Sequence, residues 1–270
     1  MALTVEVPES VAEVVAMLGE DDVVIAGGTE VMPRVTTRAT GVARLVSLRR
    51  TGLTGIELQG DRAVISAATT LAQLGREERL AVLRPVVESI ASPTIRNLAS
   101  VGGNLFVEQP YGDLAVALLA LDAQVEVSGP VETVRRPVAE VLEGGLGPCE
   151  LVTAIAVDVP AEGEWFYTKA MRRRQNSGSI VTVAAVAAVE DGTVASVRMA
   201  LGGVGSRPVR AAAAEAALTG RPFDRPHVKA AANAALEDAN PFDDAYASAW
   251  YRRRVLPVHV RRALLGEESG

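Results

Sequence analysis

The chain of 270 residues has a single cysteine, Cys149, and only two histidines, His227 and His259. One thiol forms no internal disulfide, which fits a reducing, cytoplasmic compartment. A lone cysteine and two distant histidines cannot by themselves hold an iron–sulfur cluster or a zinc ion. No metal ligand and no catalytic side chain is therefore assigned, and any redox centre is organic or belongs to a partner. No run reaches the roughly 18 uncharged apolar residues of a membrane span, and MALTVEVPES lacks the basic and then apolar regions of an export signal. A basic face is missing too: the net charge is −6 with the signs interspersed, so no nucleic-acid partner is expected. The phosphate loop G-x-x-x-x-G-K-[ST] is absent, and AGGTEVMP does not fit G-x-G-x-x-G. Aromatics make up 4% of the chain against 49% hydrophobic residues, dominated by Ala and Val, a composition suited to a globular α+β protein.

The residues present form an ordered set of elements. Ser10 and Glu13 have capping-box spacing ahead of a helical stripe of Val11, Val14, Val15 and Leu18. DVVIA follows as a short strand that runs into AGGTE. Residues 43–48 and 62–68 read as strands, and from Leu71 onward helical spacing places Leu80, Leu83, Val87 and Ile90 on one stripe. A second glycine pair stands in TIRNLASVGGNLF. Beyond it, residues 112–123 read as a helix and 151–159 as a strand, with a turn-prone PAEGE at 160–164. Asp191-Gly192 joins two apolar runs as a hairpin turn, because both central residues need positive φ. The remainder is mostly helical, with Pro257 expected to kink or split the last helix. These signals place a large α+β domain at 1–164 and an antiparallel sheet with helices at 165–270.

Glycine has no Cβ, so paired glycines let backbone N–H groups converge on an anion such as a diphosphate. For either pair taken alone, a tight turn is the better explanation. The combination of both pairs with Asp113, each ending an apolar segment, is more telling. VIAGGTEVMPR, TIRNLASVGGNLF, PYGDLAVALLALDA, WFYTKAMRRRQNSGSIVTVAAV and GGVGSRPVRA, in this order over nearly the whole chain, resemble the FAD-binding medium subunit of the molybdenum hydroxylases, the group of aerobic carbon monoxide dehydrogenase and the xanthine dehydrogenases.

That resemblance implies a PCMH-type, vanillyl-alcohol-oxidase-like FAD-binding domain of two α+β subdomains and a C-terminal domain of antiparallel sheet and helices. It implies FAD held by a first loop, Val24, Ile25, Ala26, Gly27, Gly28, Thr29, Glu30 and Val31, and by a second, Ser100, Val101, Gly102, Gly103 and Asn104, with all four glycines leaving room for the cofactor. Asp113 matches an aspartate on the nucleotide portion, and Lys169 a lysine near the isoalloxazine. A helix N-terminal acid and an exposed strand lysine are their plain alternatives. Ile90 aligns with a ring-contacting position, though a stripe residue is more often core. The implied partners are an iron–sulfur small subunit and a molybdopterin large subunit, in a heterotrimer or its dimer, with an external electron acceptor. A stand-alone flavin oxidase or dehydrogenase and a non-catalytic scaffold remain open. Two features depart from the pattern: Tyr111 before the aspartate, and two extra residues in ELVTAIAVDVP. MRRR (171–174) and YRRR (251–254) read as solvated faces, with a docking surface or acceptor-nucleotide site as the functional alternative.

Overall fold

The computed structural model describes residues 3–37, 42, 44–173 and 177–266. The chain divides into two units that interleave in sequence. The first takes residues 1–81, 92–107 and 123–157, and the second takes 82–91, 108–122 and 158–270.

In the first unit, β1 (Thr4–Glu6), β2 (Asp22–Ile25) and β3 (Arg44–Ser47) form a parallel sheet in the order β1-β3-β2. The strand expected from 43 begins at Arg44 here, and residue 43 lies outside the described residues. A second sheet orders β4 (Ile56–Gln59), β5 (Arg62–Ser66), β6 (Gln124–Ser128), β7 (Thr133–Pro137) and β8 (Leu151–Asp158) as β4-β5-β8-β6-β7. The first helix, Val11–Met17, is capped by Ser10, whose Oγ accepts from the Glu13 amide at 3.2 Å. The Glu13 carboxylate accepts from Glu9 N, one residue earlier than the reciprocal box requires. Val14 and Val15 from this helix pack with Val46, Leu48 and Leu151.

The second unit is built on β9 (Trp165–Met171), β10 (Ser179–Glu190), β11 (Thr193–Gly202) and β12 (Val209–Arg210), all antiparallel in the order β12-β11-β10-β9. The expected hairpin is present: Asp191 has φ +48° and Gly192 φ +76°. Apolar residues of β10 and β11 pack against helices Ala212–Leu218, Arg225–Ala234 and Ala249–Leu265. Helix Asp113–Ala120 belongs to this unit and is buried at all eight of its positions.

Two sequence expectations change. The stripe from Leu71 to Ile90 is not one helix. It breaks into helix Leu71–Leu74, a 3-10 segment Glu78–Leu83 and helix Arg84–Ser89. Leu80 has non-helical dihedrals, and Pro85 occupies the first turn of the last piece, the position where proline starts a helix rather than continues one. Conversely, helix Ala249–Leu265 runs unsplit through Pro257. Leu256 and Val260, buried on either side of the proline, hold it against the sheet.

Candidate functional site

The first glycine loop leaves β2 at Ile25 and enters helix Val31–Thr36. Gly28 has φ +73°, a conformation that side chains rarely adopt. Gly27 is constrained by its neighbour: a Cβ there would lie 1.7 Å from the carbonyl oxygen of Leu98. The turn just before the second glycine pair is therefore seated directly on the first pair. Val24, Ile25, Thr29 and Val31 are half-buried around this contact, and Ala26 and Glu30 are exposed. The amides of Gly27, Gly28, Thr29 and Glu30 have no acceptor among the described residues.

The second bend is organised differently. Ser100 caps helix Val101–Asn104 and its Oγ accepts from Gly103 N at 3.2 Å. The Val101 amide donates to Thr69 O and the Gly102 amide to Ala67 O, both at 2.8 Å. A Cβ on Gly102 would meet Ala67 Cβ at 2.8 Å, whereas one on Gly103 would meet only Ser100 Oγ, at 3.0 Å. The sequence reading gave all four glycines the same reason, room for a cofactor. The protein's own backbone accounts for Gly27 and Gly102, positive φ accounts for Gly28, and Gly103 alone is left without a demanding internal cause. Asn104 is 5% exposed, yet its Oδ1 has no hydrogen-bond partner among the described residues. An orphaned acceptor of that kind is costly unless something outside the chain donates to it. Near the bends in sequence, Met32, Leu98 and Phe106 are exposed.

In the second unit, Asp113 and Lys169 meet. Lys169 Nζ donates to Asp113 Oδ2 at 2.7 Å and to Ser89 O at 2.9 Å, and Thr182 Oγ1 donates to Asp113 Oδ1 at 2.6 Å. The two charged side chains are 2% and 3% exposed, so Lys169 is not the exposed strand lysine of the plain alternative. Burial pushes the Asp113 carboxyl up, with Lys169 and Thr182 pulling against it. Tyr167 completes the cluster through a 2.8 Å bond between its hydroxyl and Ser89 Oγ; burial and the Asp113 charge hold that phenol well above its ordinary range. The cluster links residues far apart in sequence, and no local spacing announces Thr182, Ser89 or Tyr167. Ile90 is 5% exposed, a core position.

Tyr111, the departure before the aspartate, stacks edge-on with Tyr246 at 5.8 Å, and their hydroxyls bond at 2.9 Å. Of the described arginines in the two groups, Arg172, Arg173, Arg253 and Arg254 are exposed, as a solvated face would have them, and Arg252 is the exception. Arg252 is fully buried, Arg253 donates to Ala239 O at 3.3 Å, and Arg254 lies over Trp250 at 5.5 Å. Arg172 donates to Ala245 O, and Arg174 lies outside the described residues. YRRR is thus divided: Arg252, the first of its three arginines, points into the core, while Arg253 and Arg254 are exposed. Among the described residues no group of acidic, histidine or cysteine side chains could hold a metal, and no helix is long and apolar enough to cross a membrane.

Residues 1–161 match the family described as the FAD binding domain in molybdopterin dehydrogenase, and residues 166–266 match the CO dehydrogenase flavoprotein C-terminal domain. The carbon monoxide dehydrogenase medium chain of Afipia carboxidovorans is 30% identical, over 95% of this chain and 93% of that one. The 6-hydroxypseudooxynicotine dehydrogenase complex subunit alpha of Paenarthrobacter nicotinovorans is 29% identical, over 91% of this chain and 86% of that one. A solved carbon monoxide dehydrogenase from Hydrogenophaga pseudoflava contains a chain that superposes with a TM-score of 0.93 at 30% identity, covering 98% of this chain and 96% of that one.

Proposed function

The chain belongs to the FAD-binding family of the molybdopterin dehydrogenases, and from that premise we propose how its residues serve a multi-subunit oxidoreductase. It is the FAD-binding medium subunit of a molybdenum hydroxylase complex, assembled with a large and a small subunit. In our reading the small subunit carries iron–sulfur clusters and the large subunit the molybdopterin, the complex is cytoplasmic, and electrons leave through this chain to an external acceptor. The scarcity of cysteine and histidine supports that division of labour, since the metal centres have no ligands here.

The observation that carries the reading is the run of amides from Gly27 to Glu30 that finds no acceptor among the described residues, with Asn104 Oδ1, likewise unpartnered among them, in the same unit. Both fit a diphosphate-bearing cofactor with hydroxyl groups: the amides would donate to phosphate, and the Asn104 oxygen would accept from a hydroxyl. Val24, Ile25, Ala26 and Val31 shape the first loop. Ser100 and Val101 fix the second bend, and Gly102 lets it close on Ala67. Gly103 keeps the approach open. FAD, when bound, supplies two-electron storage between one-electron carriers and the acceptor. Asp113 and Lys169 supply a buried, mutually compensating charge pair in the second unit.

Purification of the chain tests this. A flavin absorption spectrum, and recovery of one larger and one smaller subunit with the tagged chain, are expected. A colourless protein that takes up no added FAD would remove the reading. Bleaching of the isolated chain's flavin by a small-molecule substrate would favour a stand-alone dehydrogenase instead.

A further inference from the structure

Two motifs that flavin binding leaves without a role, GGVGSRP and YRRR, meet at one buried side chain. Arg252, on helix Ala249–Leu265, is 0% exposed. Its Nη1 donates to the carbonyls of Ser179 at 2.9 Å, Ile180 at 2.7 Å and Gly203 at 2.7 Å, and its Nη2 donates to Asp244 Oδ2 at 2.6 Å. The Phe242 ring lies 5.0 Å from the guanidinium carbon. Gly203 is glycine because of this arginine as well as its φ of +73°: a Cβ would stand 2.8 Å from Nη1.

The carbonyls that Arg252 gathers belong to the start of β10 and to Gly203, the residue just past β11. These same places carry the segment that leads into Asp113. Gly203 N donates to Gln109 Oε1 at 2.7 Å, while Ser179 N and Oγ donate to Pro110 O at 2.9 and 3.1 Å. Farther along β10, Thr182 holds Asp113 Oδ1. Gln109, Ser179, Thr182 and Asp113 are all buried, so the chain of bonds runs through a region of low dielectric, where such links are stiff and costly to leave incomplete. Taking a guanidinium out of water costs several kcal/mol even when it is paired, and an apolar side chain would fill the same space. Its distinctive contribution is the geometry it imposes on three carbonyls.

We propose that Arg252 is a positioning residue, which sets the Gln109–Asp113 segment and through it the Asp113 carboxylate. The functional half of this inference rests on the flavin reading above, together with the resemblance by which Asp113 matches an aspartate on the nucleotide portion of FAD. Its test uses the full chain with Arg252→Met, the milder Arg252→Lys, and Gln109→Met, which interrupts the relay while leaving Arg252 and Asp244 paired. Hydrogen exchange read by mass spectrometry should accelerate in the peptide covering residues 109–113 in all three variants, with the five-stranded sheet of the other unit unchanged. FAD titrated into apoprotein should bind about tenfold more weakly to Arg252→Met, the scale of one lost charge-assisted bond. The loss should nearly vanish when Arg252→Met is placed on an Asp113→Asn background, whereas a merely structural role would let the two losses multiply. Unchanged exchange at 109–113 in the variants that fold, or multiplying losses, would overturn the proposal. A wild-type chain that takes up no FAD would sink the flavin reading, while the exchange measurement would still decide whether Arg252 holds the segment. If Arg252→Met does not fold, Arg252→Lys and Gln109→Met carry both measurements.

Discussion

Gly27 and Gly103 stand in look-alike pairs under different constraints. At Gly27 an added methyl meets the Leu98 carbonyl at 1.7 Å, a backbone atom that cannot move aside, so Gly27→Ala should cost the fold several kcal/mol and lower the thermal midpoint whether or not flavin is present. At Gly103 the methyl meets only the Ser100 hydroxyl, so Gly103→Ala should cost about 1 kcal/mol through the weakened cap. The same variant should lose FAD, and parallel thermal melts and flavin titrations would separate the two substitutions. Local sequence conveyed that both places need glycine. It could not convey why, because Leu98 reaches Gly27 from a distant part of the chain and a backbone carbonyl leaves no trace in residue type. Asp113→Ala makes the complementary point. It would leave Lys169 dry and without its counter-charge, at about 3–5 kcal/mol, to be read from urea unfolding at neutral pH.

Helices and strands carry their own tests. Proline in a helix interior removes a hydrogen bond and costs about 3 kcal/mol, yet Ala249–Leu265 passes through Pro257 intact. Pro257→Ala should therefore raise stability by about 1–3 kcal/mol in denaturant unfolding. Strand pairing predicts an acid response. Arg44 joins β3 to β2 through Asp22, and Arg136 on β7 holds Glu150; in each case the arginine bond is the main cause that keeps the carboxyl below its ordinary range. A depressed folded pKa means stability that is complete above the unfolded value, roughly 3.9 for Asp and 4.3 for Glu, and is lost as pH falls through the folded one. The urea midpoint should drop below about pH 4, and Glu150→Gln should flatten that drop. Two long apolar runs and the Asp191-Gly192 turn between them made β10 and β11 readable in advance. The edge strands β1, β4 and β7 were not, being short, with polar or exposed residues that resemble loop. The Leu71–Ile90 stripe misled because a buried face repeats through a 3-10 segment and a proline start much as it does through one helix.

For the molecule as a whole, the order of its motifs along the chain carried more than any one of them, since loops and caps recur in many folds while their sequence does not. Binding should be visible in stability: FAD at a hundred times its dissociation constant should add about 2.7 kcal/mol, measured as a concentration-dependent rise in melting temperature. What chain order hides is the interleaving. Asp113 finds its lysine on β9 and its hydroxyl on β10, fifty-six and sixty-nine residues later.

That interleaving bears on any attempt to dissect the gene. A fragment ending at residue 164 would retain Asp113–Ala120, an oily helix buried along its full length, but none of the four strands of its own sheet. Such a fragment should clump unless the missing half is supplied in the same cell, and mixing the two halves should rescue solubility only as fast as the displaced helix can find its way home.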